Sequence, residues 1–260
     1  SCSMGPDYQR PRTEEGTTFK MAEGSPDIPS LANLPWWDLL RDEQLQSLIK
    51  VALAENRDLR QAVATVEEFQ ARAFIARSDF MPGITGSGNA PVFGRKTVFL
   101  VPGFANPFNY YLQGNLSWEL DIWGRIRRSN EAARADLLSK EENRRAVTIQ
   151  LVSAVGEAYF NLLQFDAQLD IAKRTVQSWE ESVRISQARL KQGFSSRLDM
   201  DQFEAERAHA AARTAELERQ MVQAENQLSV LLGRKPLAIT RGRSLYDQVM
   251  FPPAPAGLPS

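Results

Sequence analysis

The chain has 260 residues, which is enough for one large domain or two small ones. Its 31 Lys and Arg residues nearly balance 32 Asp and Glu residues, so the net charge of −1 gives no reason to expect DNA or RNA as a partner. No uninterrupted apolar run approaches the roughly 18–20 residues of a membrane-spanning helix. If the chain crosses a bilayer, we expect it to do so through the strands of a closed barrel.

The chain holds one cysteine, Cys2, and one histidine, His209. A single cysteine excludes an intrachain disulfide, and a single histidine excludes most histidine-based metal clusters. Adjacent glutamates such as Glu141 and Glu142 point about 100° apart on a helix, so they do not converge on a substrate. The sequence has no phosphate-binding loop and no nucleophile elbow. An enzyme is therefore the class that the sequence supports least, and no cofactor is expected.

Residues 1–41 are predicted to form an irregular N-terminal arm, because they contain Pro6, Pro11, Pro26, Pro29 and Pro35. Residues 42–79 have a helical period instead. Their apolar side chains recur at three- and four-residue steps from Leu45 to Phe69. The sequence therefore predicts a single helix from Asp42 to about Ala76, with a length of about 50 Å.

Residues 80–122 are predicted to form two strands joined by a loop. Residues 110–121 alternate between a polar and an apolar face, and the apolar face carries Tyr110, Leu112, Leu116, Trp118 and Leu120. A weaker strand is predicted at about 82–94, with a loop at 95–108 between the two. Each strand would have about 11–13 residues, near the length that a tilted membrane-spanning strand requires, and in a barrel the apolar face of the second strand would face lipid. A soluble hairpin packed on a core explains the same alternation equally well.

Residues 123–236 are predicted to form a long antiparallel helical hairpin. From Arg125 to about Gln192 there is no proline and only one glycine, which allows a helix of about 100 Å. Gly193 ends this helix, and Ser196 and Asp199 have the capping-box spacing that starts another, which runs to about Leu232. A seven-residue repeat in the second helix gives it a coiled-coil seam of Phe203, Ala210, Leu217, Ala224 and Leu231. Residues 237–260 are proline-rich and are predicted to be a linker.

Several motifs occur in a fixed order along the chain. They are the start Cys2–Pro11, the pair Trp36-Trp37 before the first helix, the segment Trp118–Arg125, the turn Gly193–Asp199 and the helix end Leu231–Gly233. Together they resemble the N-terminal half of a subunit of the TolC-like outer-membrane efflux channels, including the lipoprotein members that serve tripartite RND-type pumps. The resemblance covers nearly the whole chain.

The resemblance implies a mainly α fold with a β-hairpin. The long helical hairpin would be an element of a periplasmic α-barrel, and the two strands would belong to a 12-stranded outer-membrane β-barrel that a homotrimer closes. Residues 42–79 would be the first periplasmic helix, and residues 237–260 would lead to a second repeat that is missing from this chain. The protein would lie in the outer membrane of a Gram-negative bacterium, lipid-anchored and extending into the periplasm.

The function that the resemblance implies is passive export of drugs or other small molecules from the periplasm, which would contribute to antibiotic resistance. The implied partners are outer-membrane lipid, a periplasmic adaptor protein and an inner-membrane RND-type transporter. Two other hypotheses remain open at this stage. A periplasmic adaptor also has a long helical hairpin, and a coiled-coil scaffold protein could combine such a hairpin with a soluble pair of strands.

Two candidate contact sites follow from the same resemblance. Cys2 would carry lipid, including palmitate-type acyl chains, after removal of a signal peptide, and several acyl chains would hold the terminus to the membrane. The alternative is an incidental thiol. The tip of the helical hairpin, at Gly193, Phe194, Ser195 and Ser196, would contact the adaptor, with polar groups supplying hydrogen bonds. Its alternative is an ordinary turn between two helices.

A third candidate site is the basic cluster Arg125, Arg127 and Arg128 at the start of the long helix. Positive charge at this end opposes the helix macrodipole, so the cluster calls for an explanation. These side chains could reach anionic lipid headgroups just below the strands, with their stems along apolar surface. A solvated helix start is the alternative.

Overall fold

The computed structural model describes residues 8, 9, 11, 41–89 and 111–248. These residues form helix α1 (Glu43–Glu55), helix α2 (Arg57–Ser78), strand β1 (Gly83–Asn89), strand β2 (Tyr111–Ser117), helix α3 (Arg125–Lys191), helix α4 (Arg197–Leu231) and a short 3-10 turn (Leu245–Asp247). The predicted mainly helical fold with one β-hairpin is confirmed. Cys2, Tyr110, most of the predicted arm, the 95–108 loop and residues 249–260 lie outside the described residues.

The described chain divides into two compact units. The strand unit, residues 64–142, contains most of α2, both strands and the first part of α3. The core unit, residues 41–63 and 143–248, contains α1, the start of α2, the rest of α3, and α4. It also contains residues 237–248, which we call the strap.

Helix α1 begins at a carboxylate. Oδ1 of Asp42 accepts hydrogen bonds from the backbone N–H groups of Gln44 (2.8 Å) and Leu45 (3.1 Å), which otherwise have no partner within the helix. The apolar face that the sequence predicted for this helix is buried, namely Leu45, Leu48, Ile49 and Ala52. The cap thus fixes where the helix starts, and the apolar stripe fixes which side faces the core.

The prediction of one continuous helix over 42–76 was wrong, because Asn56 interrupts it. Asn56 is buried and has an extended backbone (φ −60°, ψ 133°). Its Oδ1 accepts a hydrogen bond from the backbone N–H of Leu59 (2.9 Å), so it caps α2. Its Nδ2 donates to the carbonyl oxygen of Leu231 at the end of α4 (2.9 Å). The break is therefore stabilised by both ends of one amide group.

The end of α4 packs tightly against this break. Gly233 has a φ of 70°, and the N–H groups of Gly233 and Arg234 donate to the carbonyls of Val230 (2.9 Å) and Ser229 (3.0 Å). This is the Schellman arrangement, which favours glycine. A Cβ atom at position 233 would lie 2.3 Å from the carbonyl oxygen of Glu55. The Arg234 guanidinium also forms two hydrogen bonds to the Glu55 carboxylate, at 2.9 and 3.0 Å.

The hydrophobic core of the core unit joins α1, α3, α4 and the strap. Its fully buried large side chains include Tyr159, Leu162 and Val155 from α3 and Leu228 from α4. Burying one side chain of this size contributes roughly 1.5–3 kcal/mol to stability. Because α1 packs its whole apolar face on this cluster, the core also determines where α1 lies on the helical hairpin.

The long helical hairpin is confirmed. Helix α3 has 67 residues, and α4 has 35. Leu217 and Ala224 of the α4 seam are buried, as is the nearby Leu228, and Leu217 packs with Leu169 and Ala172 of α3. An ion pair between Lys173 and Glu218 (3.4 Å) joins the two helices beside this cluster. The heptad pattern in the sequence therefore marks the interface between the two helices.

Helix α3 includes an 18-residue window with a mean hydropathy of 1.3. By length and mean hydropathy, though not by an uninterrupted apolar run, it meets the minimum for a helix that crosses a membrane. The core helix of a soluble protein meets the same minimum. Residues such as Leu151, Val155 and Leu162 of α3 are buried in the core, so packing explains apolar side chains on this helix.

The strap differs from the linker predicted for residues 237–260, because its residues pack on the helices. Ile239 is buried in the core. The Arg241 guanidinium forms ion pairs with Asp166 of α3 and Glu225 of α4. The backbone N–H of Gly242 donates to the hydroxyl oxygen of Tyr159 (2.9 Å). The linker prediction rested on the prolines at 252–259, which lie beyond the strap and carry no information about these distant partners.

The strap is also held by the carboxylate that caps α1. Oδ2 of Asp42 accepts hydrogen bonds from the Tyr159 hydroxyl (3.2 Å), the backbone N–H of Arg243 (3.3 Å) and Nε2 of Gln248 (2.8 Å). Asp42 is only 3% exposed. Burial raises its pKa, but the hydrogen bonds outweigh burial and leave the pKa below its ordinary value. Burial raises the pKa of Tyr159 to about 12, so its hydroxyl keeps the proton that it donates.

We expect Asp42→Asn to lower the free energy of unfolding by about 2 kcal/mol at pH 7, because an amide NH2 would face donors where a carboxylate oxygen now accepts. Folding lowers this pKa, so the carboxylate stabilises the fold above its ordinary pKa of 3.8, and this contribution is lost as the pH falls below that value. The difference between the two proteins should therefore shrink in acid. Urea unfolding from pH 7 down to pH about 3 measures it, with exposed Asp201→Asn as control. Equal stability of both proteins at pH 7 would contradict the role of Asp42.

We expect Gly233→Ala to lower the unfolding free energy by about 1–3 kcal/mol, because of both the positive φ and the close approach to Glu55. Gly156→Ala is the matched control. A Cβ atom at position 156 meets no neighbour within 4 Å, and alanine is favoured over glycine inside a helix by roughly 0.5–1 kcal/mol. Thermal unfolding of the two variants should give shifts of opposite sign. Shifts of the same sign would show that position 233 tolerates a side chain.

Candidate functional site

Strands β1 and β2 pair antiparallel, from Gly83 opposite Ser117 to Asn89 opposite Tyr111. Directly opposed residues lie on the same face of a sheet. One face thus carries only apolar side chains and glycines, namely Ile84, Gly86, Gly88, Leu112, Gly114 and Leu116. The other face carries the polar side chains Thr85, Ser87, Gln113, Asn115 and Ser117. The alternation in the sequence therefore corresponds to two chemically distinct faces.

The apolar face has no protein covering it within the described chain. Ile84, Leu112 and Leu116 are 78%, 91% and 71% exposed. Leu112 and Leu116 lie where the sequence predicted a lipid-facing strand, and Tyr110 falls outside the described residues. A soluble hairpin packed on a core would bury these three side chains, and this one does not.

Strand β2 ends at Ser117, four residues before the predicted end at 121. The reason is that β1 begins at Gly83, so no partner strand remains opposite Trp118 and Leu120. These two predicted lipid-facing residues instead lie beyond the paired strand and are each 60% exposed. The indole N–H of Trp118 donates to the carbonyl oxygen of Phe80 (3.2 Å), so the ring presents an apolar surface with its polar group satisfied.

The segment that leads into α3 continues this apolar surface. Ile122 and Trp123 are 63% and 68% exposed, and Met81 before β1 is 67% exposed. Gly124 follows, with a φ of 79° that turns the chain into the helix. We call residues 118–124 the strand–helix junction. Its side chains combine aromatic and aliphatic groups with two carboxylates.

A carboxylate in the strand–helix junction caps α3. The backbone N–H groups of Ile126 and Arg127 donate to Oδ1 (3.0 Å) and Oδ2 (2.9 Å) of Asp121. Sequence reasoning missed this role, although an Asp ahead of a basic helix start was the available signal. The negative charge of Asp121 lies where the helix dipole is positive, so it offsets the unfavourable placement of the three arginines at this end of the helix.

Each of the three arginines has an acidic partner. Arg125 forms two hydrogen bonds to Glu119, at 2.8 and 2.6 Å, and Arg127 pairs with Asp121 at 3.3 Å. Arg128 pairs with Glu131 at 2.7 Å. The basic cluster is thus locally neutralised. The side chains of Arg125 and Arg127 remain largely exposed, whereas that of Arg128 is mostly covered. Within the described residues, no group of three or more His, Cys, Asp or Glu side chains is placed to hold a metal ion.

The hairpin turn between α3 and α4 is built from its own residues. Gly193 has a φ of 78°, and the N–H of Phe194 donates to the carbonyl of Arg189 (2.9 Å), which closes α3. The predicted capping box is confirmed. The Ser196 hydroxyl accepts from the N–H of Asp199 (3.1 Å), and the Asp199 carboxylate accepts from the N–H of Ser196 (3.0 Å).

The side chains of Ser195, Ser196 and Asp199 already form hydrogen bonds within this turn, so they are not free to supply the hydrogen bonds that the sequence predicted for an adaptor contact. The Ser195 hydroxyl donates to the Asp199 carboxylate (3.1 Å). Hydrogen bonds from Ser196 and Ser195 hold the pKa of Asp199 below its ordinary value. Apolar side chains are instead what the turn exposes, since Phe194 is 80% and Leu198 66% exposed. The exposure of Leu198 was not predicted, although this residue belongs to the turn motif Gly193–Asp199.

We expect Asp121→Ala to speed amide hydrogen exchange at Ile126 and Arg127 roughly fivefold, because losing one helix cap costs about 1 kcal/mol, which is about a fivefold change in the opening equilibrium. The exposed Asp136→Ala change on the same helix serves as control, because no hydrogen bond joins Asp136 to the helix start. Unchanged exchange at both amides in Asp121→Ala would show that Asp121 does not cap α3. Exchange measured by mass spectrometry across residues 118–136 tests both variants.

The chain matches the family model described as outer membrane efflux protein over residues 48–234. It is 34% identical to the cation efflux system protein CusC of Escherichia coli K12 over 268 residues, covering all of this chain and 56% of that protein. It is 32% identical to the probable outer membrane lipoprotein SilC of Salmonella typhimurium, covering 89% of this chain and 50% of SilC.

The fold matches the open state of the outer membrane channel MtrE of Neisseria gonorrhoeae with a TM-score of 0.76 and 29% identity, covering 98% of this chain and 57% of MtrE. The chain therefore spans about half the length of the relatives that it matches. The exposed apolar sheet face, the long helical hairpin and these matches lead to one assignment. The chain belongs to the outer membrane efflux protein family.

Proposed function

We propose that the chain is part of an outer-membrane efflux channel subunit, a passive conduit that exports drugs or other small molecules from the periplasm. The observation that carries this proposal is the two-faced sheet. Its apolar face is exposed, and its opposite face is polar. A membrane β-barrel requires that combination, with lipid on the outside and water in the channel.

The sheet would lie in a larger closed barrel. Two strands have unpaired backbone groups on their outer edges, and such edges cannot be exposed to lipid. We therefore propose that strands from further parts of the subunit and from two other copies pair with β1 and β2, giving a 12-stranded trimeric barrel. The helices would continue as a tunnel on the periplasmic side. Transport of this type makes and breaks no bond, so no catalytic residue or cofactor is assigned.

The strand–helix junction would lie at the periplasmic surface of the membrane. Exposed Trp118, Leu120 and Trp123 suit the boundary between lipid tails and headgroups, where aromatic residues concentrate. Arg125, Arg127 and Arg128 would then lie near the headgroups. Their pairing with nearby carboxylates supports this placement, since paired charges cost less to hold close to a bilayer than isolated ones.

The hairpin turn would contact a periplasmic adaptor protein that connects the channel to an inner-membrane RND-type transporter. Its exposed Phe194 and Leu198 support an apolar contact, with Gly193, Ser195 and Ser196 setting the shape of the turn. Cys2 would carry the lipid anchor, as in a lipoprotein. The relative SilC is described as a probable outer membrane lipoprotein, which supports this assignment.

The domain assignment follows the same scheme. Residues 1–41 would be the lipid-anchored arm, 42–79 the first periplasmic helical segment and 80–122 the membrane strands with their external loop. Residues 123–236 would be the tunnel hairpin, and 237–260 would connect to further chain. The relatives CusC and MtrE are described as a cation efflux system protein and an outer membrane channel. These descriptions favour the channel over the adaptor and scaffold hypotheses.

The sheet faces give a direct test in the full-length protein expressed with its native signal peptide. We expect Leu112→Arg to abolish recovery in the outer membrane, because a lipid-facing arginine costs roughly 2–4 kcal/mol near the bilayer midplane. Gln113→Arg introduces the same charge one residue away, on the face assigned to the channel interior, and should insert normally. Membrane fractionation and a trimer assay on gels measure both variants.

Other outcomes of this experiment are informative as well. Equal recovery of the two variants would show that the faces are not distinguished by lipid, and the channel proposal would fail. Recovery of the unchanged protein in the soluble periplasm would also overturn it. Mass spectrometry of the recovered protein tests acylation at Cys2 separately.

A further inference from the structure

A basic groove lies in the core unit where the break between α1 and α2 meets the end of α4. Its volume is about 360 Å³, and its walls include Asn56, Arg57, Asp58, Gly233, Arg234 and Lys235. Asn56 and Gly233 line the groove, and each is held by the close packing described above. The groove is therefore formed by rigid backbone and not by a mobile loop. It is distant in sequence from the strands, the strand–helix junction and the hairpin turn.

Three exposed cationic side chains line the groove, and two of them have no counter-ion among the residues that the structure describes. Arg234 is paired with Glu55 at 2.9 Å. Among the described residues, no carboxylate lies within ion-pair distance of Arg57 or Lys235, although other exposed arginines such as Arg184 and Arg219 have acidic partners. The two cations come from different segments, one from the start of α2 and one from the chain after α4. Their convergence is thus a property of the fold and not of a basic run in the sequence.

The backbone adds further positive potential to this groove. Arg57 and Asp58 are the first two residues of the 22-residue α2, where helix N–H groups lack acceptors and the dipole is positive. The Asn56 side chain accepts from the N–H of Leu59, and its carbonyl accepts from the N–H of Arg60, so neither bond uses the N–H groups of Arg57 and Asp58. The Asp58 carboxylate opposes this potential, but the groove retains a net positive charge after the Arg234–Glu55 pair is set aside.

We propose that this groove is a binding site for a phosphate group, held by the side chains of Arg57 and Lys235. Arginine offers a planar fork of donors to phosphate oxygens, and lysine supplies a point charge. The phosphate can be free in solution or belong to a lipid headgroup. Transport through a channel requires no such site, so this assignment stands apart from the proposed function.

The test is isothermal titration calorimetry of the full-length protein in detergent, with inorganic phosphate as the titrant in low-salt buffer. We expect Arg57→Gln and Lys235→Gln each to weaken binding about fivefold, and Asp58→Asn to strengthen it about threefold. Lys191→Gln is the matched control, since it removes an exposed lysine at the far end of α3 and should leave the affinity unchanged. Circular dichroism confirms that each variant is folded.

A parallel titration with vesicles containing phosphatidylglycerol identifies the source of the phosphate. Binding of free phosphate that depends on Arg57 and Lys235 supports the site with a soluble ligand. Binding of vesicles alone, with the same dependence on the two side chains, supports a headgroup ligand. Equal weakening by Arg57→Gln, Lys235→Gln and Lys191→Gln would indicate an adventitious ion only and overturn the proposal. Absence of binding to both probes would overturn it as well.

Discussion

The carboxylate of Asp42 is the group on which the core unit depends. One oxygen caps α1, and the other accepts hydrogen bonds from Tyr159 of α3 and from Arg243 and Gln248 of the strap. A buried carboxylate is tolerated only when donors surround it, so each of these segments has to be in place for the others to be stable. Close packing of the strap against Asp42 adds to this interdependence, because a Cβ atom at Gly242 would lie 2.5 Å from Oδ1 of Asp42.

A second constraint acts at the other end of α1. Asn56 joins the start of α2 to the end of α4, and Arg234 joins the end of α4 to Glu55. Helix α1 is thus fixed at both ends by polar contacts and along its length by the core. The start of α2 is fixed at this point by the same contacts.

Features encoded by neighbouring residues could be predicted from the sequence, and features that depend on distant partners could not. The capping box at Ser196 and the helix stop at Gly193 involve residues only a few positions apart, so the hairpin was predicted nearly to its ends. The two-residue alternation predicted the faces of β2. The break at Asn56 depends on a carbonyl 175 positions away, and the early end of β2 depends on where β1 begins. Neither partner can be identified from the local pattern.

The contact between Asp42 and Gln248 joins positions that are 206 residues apart. Positions 42 and 248 therefore lie side by side, although the intervening helices are long. A folding unit whose entry and exit points coincide can be inserted into, or joined in tandem with, another sequence through short connections and without rearrangement of its interior. The same geometry makes this unit suited to gene duplication, because two copies in succession would each keep their own cap, core and strap.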